Sequence, residues 1–170
     1  SQFYTDGIWA VQQQIVSDKG SSYDAAKFVS NGSGYAVVWR QVDSQNLARL
    51  HTKIYEASVS SSWGGAFTLS NSNSTEDVSF DSHQIVSNGS GYAITWAQRV
   101  GSLSAVYANI FQNGSWMTTA TQLNTVGINT KEPILATNGS GYQFAWYQFG
   151  DSTEVRTRGY ENSFWSTDIS

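Results

Sequence analysis

Cysteine is absent from the 170 residues, so neither a disulfide nor a thiolate metal site can form. Proline occurs once and charged residues make up only 13% of the chain, which gives long helices little to build on. The nine Lys and Arg are scattered singly under a formal net charge of −4. A nucleic-acid ligand needs a basic stripe to displace its counterions, so no nucleic-acid partner is expected. No window approaches the ~18 consecutive apolar residues of a spanning helix, so no membrane insertion is expected either. No basic n-region with an apolar stretch opens the chain, and its start at Ser1 suits a processed or trimmed form. Lack of cysteine does not fix a compartment, and a secreted or cell-surface location is favoured over the cytoplasm.

What is abundant are aromatics, at 14% with seven Trp and nine Tyr, which excludes a disordered chain. Ser, Asn, Gly and Thr fill the rest, as short strands and tight turns require. The strongest signal is repetition. Asn31-Gly-Ser-Gly-Tyr35 opens a stretch that ends in Trp39-Arg-Gln41. The same pattern returns from Asn88 to Gln98 and from Asn138 to Gln148. A second element, an aromatic followed by a polar turn and a Trp, recurs at Tyr4–Trp9, Tyr55–Trp63, Phe111–Trp116 and Tyr160–Trp165. Three repeats of approximately 24–80, 81–130 and 131–170 are expected in one domain, with residues 1–17 supplying an extra terminal strand.

Each repeat reads as four short strands. The first covers Lys27–Ser30, His83–Ser87 and Pro133–Thr137, and an Asn-Gly turn follows it. The second, Tyr35–Gln41 and its counterparts Tyr92–Gln98 and Tyr142–Gln148, is apolar at nearly every position, which predicts burial on both faces. The third covers Arg49–Tyr55, Ala105–Phe111 and Glu154–Tyr160, and the fourth starts at each hairpin Trp. The expected fold is all-β, with three four-stranded antiparallel blades of the propeller type. A β-trefoil is the alternative.

The repeated Gly-Tyr-x-x-x-Trp-x-Gln strand and the Trp-bearing hairpin resemble those of bacterial β-propeller repeat proteins. More loosely, the chain is similar to short-chain propeller lectins. That resemblance implies a ring built from several copies. Three blades would leave two apolar faces bare, so a homodimer completing a six-bladed ring is expected. Trp9–Val16 or Trp165–Ser170 would supply the closing strand.

No catalytic constellation is legible, so no enzyme and no cofactor are expected. His51 and His83 recur in no other repeat, and the thirteen carboxylates follow no repeat logic. Thr5–Trp9 resembles the Asp-box turn of sialidases, which makes a fragment of a propeller glycosidase the weakest alternative. Trp39, Trp96 and Trp146 sit among apolar neighbours and are expected in the core. Trp9, Trp63, Trp116 and Trp165 follow polar turns and are the candidate ligand platforms. Sugars stack their C–H faces on such rings and bond to polar neighbours. The candidates for those bonds are Glu56, Gln112 and Glu161, with Lys53, Asn109 and Arg158 three residues earlier. The expected function is non-catalytic glycan binding, multivalent through one weak site per repeat. A structural or protein-interaction scaffold is the alternative.

Overall fold

A computed structural model describes residues 4–5, 8–9, 12, 15, 22–56, 62–70, 77–78 and 82–169. β1 (Tyr4–Thr5) and β2 (Ile8–Trp9) form a short hairpin. The first sheet holds β3 (Ser22–Ser30), β4 (Gly34–Val42), β5 (Ala48–Glu56) and β6 (Phe67–Thr68) in that order. The second holds β7 (Gln84–Ser87), β8 (Tyr92–Val100), β9 (Leu103–Gln112) and β10 (Ser115–Trp116), with β11 (Thr121–Gln122) also on β9. The third holds β12 (Asn129–Thr137), β13 (Tyr142–Phe149), β14 (Thr153–Glu161) and β15 (Phe164–Trp165).

The repeated Asn-Gly-Ser-Gly stretch builds the turn between the first two strands of each sheet. Asn31 Oδ1 accepts hydrogen bonds from the amides of Ser33 and Gly34, at 3.0 and 2.7 Å. Asn88 and Asn138 do the same in their own turns. The residue before each Asn also takes part, because Ser30 Oγ accepts from the Gly32 amide and donates to the Gly34 carbonyl. The last glycine is needed for space. A Cβ at Gly34 or Gly91 would overlap the carbonyl oxygen of Tyr55 or Phe111 on the neighbouring strand.

The Trp-x-Gln ending of the motif places two side chains on one face of the strand, where they meet. Trp39 Nε1 donates to Gln41 Oε1 at 3.2 Å, and Trp96 Nε1 donates to Gln98 Oε1 at 3.0 Å. The third copy departs from this pairing, since Trp146 Nε1 and Gln148 Oε1 are both buried without a partner.

The three sheets pack in a row. Ala36, Val38 and Leu50 of the first share a core with Tyr92, Ile94 and Trp96 of the second. The opposite side of the second sheet, with Ala93, Val106 and Ile110, shares another core with Leu135, Phe144 and Trp146 of the third. Each such large side chain contributes about 1.5–3 kcal/mol by leaving water. The middle strands record the result. β8 is buried at seven successive positions, whereas β13 alternates between buried and exposed. The second sheet is covered on both faces and the third on one.

The all-β expectation holds in outline, but neither architecture expected from the repeats is present. No ring forms, because the outer face of the third sheet is bare. A β-trefoil is also ruled out. Its barrel joins strands from different repeats, whereas among the described residues no ladder runs from one of the three sheets to another. The fourth strand is shorter than its pattern suggests, since Ser115–Trp116 and Thr121–Gln122 pair with β9 as separate pieces. Most of Trp9–Val16, expected to close a ring, lies outside the described residues. Trp165–Ser170 adds only β15 and an isolated bridge from Ile169 to Thr157.

Candidate functional site

Trp63 and Trp116 line a cleft where the first two sheets meet, and a second cleft, without a hairpin Trp, lies between the second and third. The first cleft, of about 470 Å³, brings together Trp63, Lys53 and Glu56 of the first sheet with Trp116 and Phe111 of the second. Trp116 is buried edge-on to Phe111 at 5.4 Å, while Trp63 is half-buried against Phe28 and Tyr55. Such a cleft can hold a flat apolar group beside the indoles, with an ammonium and a carboxylate at its rim.

The second cleft, of about 290 Å³, is polar. It is lined by Gln112 and Asn113 of one sheet and by Ser140, Glu161 and Asn162 of the next. Glu161 Oε1 accepts from Ser140 Oγ at 2.7 Å, so part of this carboxylate is already committed within the third sheet. Glu161 and Trp165 also line a shallow depression of about 710 Å³ on the last sheet, near Gln143 and Ile169.

Two of the predicted polar residues serve the hairpin. Asn109 Nδ2 donates to the Met117 carbonyl at 3.0 Å, and Arg158 Nε donates to the Ser166 carbonyl at 2.9 Å. The two occupy the same place in their repeats and hold the chain after the hairpin Trp. Arg158 also lies over the Trp165 ring at 5.4 Å. Trp9 is in β2, and its side chain lies outside the described residues. The two histidines stand apart. His51 stacks on Trp39 and bonds to Thr68, while His83 is buried. Among the described residues no group of His, Asp and Glu could hold a metal ion, and no helix is long and apolar enough to cross a membrane.

A different surface collects what the sequence reading did not single out. On the outer face of the third sheet, Ile134 lies opposite Ala145, and Ala145 opposite Thr157. Thr157 in turn pairs with Ile169, and Tyr147 lies opposite Val155. Residues directly opposite share a face, so these side chains form one surface, apolar but for Thr157, Gln143 opposite Ala136, and Lys131, which lies opposite Tyr147 with its Nζ 5.5 Å from the Phe149 ring centre. Ile134, Val155 and Ile169 are 53%, 57% and 59% exposed, and Tyr147 and Phe149 are exposed as well. In the second sheet, Thr95, Val106 and Ala97 occupy the places of Ala145, Val155 and Tyr147, and all three are buried beneath the third sheet.

No protein-family model matches the chain, and no curated protein or solved structure matches it. The resemblance to propeller repeats and propeller lectins therefore has no support from any relative, and the ring that it implies is not formed. The assignment as a glycan-binding propeller lectin fails with it, as does the glycosidase fragment. The homodimeric six-bladed ring fails on geometry, because it needs two bare faces per chain. The face of the first sheet that would meet the partner is already covered, with Val37 and Trp39 only 5% and 4% exposed.

Proposed function

We propose that the chain is a non-catalytic protein-interaction module that docks a partner on the outer face of its third sheet. One observation carries this reading. The strand Tyr142–Phe149 alternates between buried and exposed positions, yet its outward side is apolar from Ala145 to Phe149 and continuous with Ile134, Val155 and Ile169. A four-stranded face of this length offers roughly 500 Å², near the most that a soluble monomer leaves bare. A secreted or cell-surface setting suits such a module.

The test introduces a photo-crosslinking residue in place of Tyr147, in the cells that make the protein, with the exposed Arg99 of the second sheet as the control position. A discrete partner is expected from position 147 and not from 99. Once purified, that partner should bind Val155→Lys and Ile134→Lys chains at least about tenfold more weakly than the unaltered chain, because each change buries an unpaired charge. Affinities within about twofold of one another would overturn the reading.

A further inference from the structure

The two internal interfaces show what this face accepts, and they recur with the same parts. At the first, Tyr92 and Trp96 pack in the core shared with the preceding sheet, the Tyr92 hydroxyl buried. At the second, Tyr142 and Trp146 pack in the shared core, and the Tyr142 hydroxyl lies against the Asn88–Gly91 turn, 3.4 Å from where a Cβ on Gly91 would stand. Asn88 Nδ2 also donates across the interface to the Ser140 carbonyl, at 3.2 Å. At the bare face the turn is the one at Asn138, whose Oδ1 is engaged as in the other two turns.

The bare face differs from its counterparts in where its polar groups stand. The first sheet reaches outward through Lys27, whose Nζ donates to the His83 carbonyl, and Arg40, whose Nε donates to the Val78 carbonyl. In the second sheet, Gln84 occupies the place of Lys27 and accepts from the Leu135 amide. In the third sheet these places hold Ile134 and Tyr147. Those two polar ties give way to apolar side chains, while Gln143 takes the place of Ala36 and Ala93 and Lys131 lies opposite Tyr147; the Asn138 turn is unchanged.

Resting on the docking role proposed above, we infer that this face takes an antiparallel β-sheet of another polypeptide. Its middle strand presents a Tyr and a Trp four residues apart, the Tyr hydroxyl seated at the Asn138–Gly141 turn. A second copy of this chain is a poor candidate, because the corresponding Val37 and Trp39 of its first sheet are already buried. The partner's surface is aromatic and apolar, with a backbone carbonyl placed to accept from Asn138.

The probe is a synthetic hairpin of sequence 142–160, closed at its open end by a D-Pro-Gly turn and shown to be folded by nuclear magnetic resonance before use. It carries Tyr142 and Trp146 at the required spacing. Added to the isotope-labelled full chain, it should shift the amides of Ile134, Asn138, Ala145 and Val155 saturably. A Trp146→Ser hairpin should bind at least about tenfold more weakly, and a Val155→Lys chain should not respond. Equal binding of both hairpins, or shifts on another surface, would overturn the inference. So would concentration-dependent dimers of the chain alone that Val155→Lys abolishes. A silent hairpin titration beside a natural partner that still depends on Val155 would sink the Tyr–Trp assignment and leave the docking role standing. Loss of both would sink the docking role as well.

Discussion

At the scale of single residues, the motif that repeats most faithfully is architectural. Asn31, Asn88 and Asn138 each satisfy two amides of a tight turn. The glycine that ends each turn lets the strand pass close to a neighbouring carbonyl oxygen. Gly91→Ala should therefore destabilise the protein by at least about 1–3 kcal/mol, the usual cost of forcing an atom into filled space. Gly150 has nothing within 4 Å of the place a Cβ would take, so Gly150→Ala is the control and should be near neutral. Urea midpoints of the two variants compare them directly, and equal midpoints would show that the backbone moves aside at little cost.

At the scale of strands and sheets, the tyrosines after each turn act as plugs between neighbouring sheets. Burial is the main cause that pushes the Tyr92 and Tyr142 hydroxyls up from 10.0 to about 12. An unfolded chain ionises these groups near pH 10, while the folded chain holds their protons until about 12. Their contribution to stability is intact below pH 10 and is lost as pH rises from 10 to about 12. The urea midpoint should fall across that window, and less so in a Tyr92→Phe, Tyr142→Phe chain; a flat midpoint would contradict the burial. The positions of the first three strands were legible because Asn-Gly turns and Trp-x-Gln endings bracket them. The fourth was read as too long, because alternation after Trp116 continues through residues that pair with β9 in only two places. Asn109 and Arg158 were read as ligand groups because both are polar and near an aromatic. Spacing alone does not reveal that each points at a carbonyl eight residues on.

At the scale of the molecule, the sequence carried half of the decisive feature. The run from Tyr142 to Phe149 is apolar at nearly every position, as a strand between two sheets should be, and from such runs two bare faces are expected. The structure leaves one, because Val37 and Trp39 of the first sheet are covered. Closure into a ring was inferred from repetition, yet repetition sets only the unit and its neighbour contacts, never the number of units or how the row ends. The confinement of each ladder to its own sheet also has a mechanical consequence. The chain enters the third sheet on one edge strand and leaves on the other, so tension between its termini pulls across the strands and opens hydrogen bonds one after another like a zipper. Adjacent sheets are tied by side chains and by isolated backbone bonds, such as that from the Val78 amide to the Ala48 carbonyl, which yield without tearing a ladder. Stretched in an optical trap, the molecule should extend at low force in separate steps, each releasing on the order of 10 nm for a sheet of some forty residues. One abrupt rupture of the whole chain would mean that the side chains between sheets bear load as well as the ladders do.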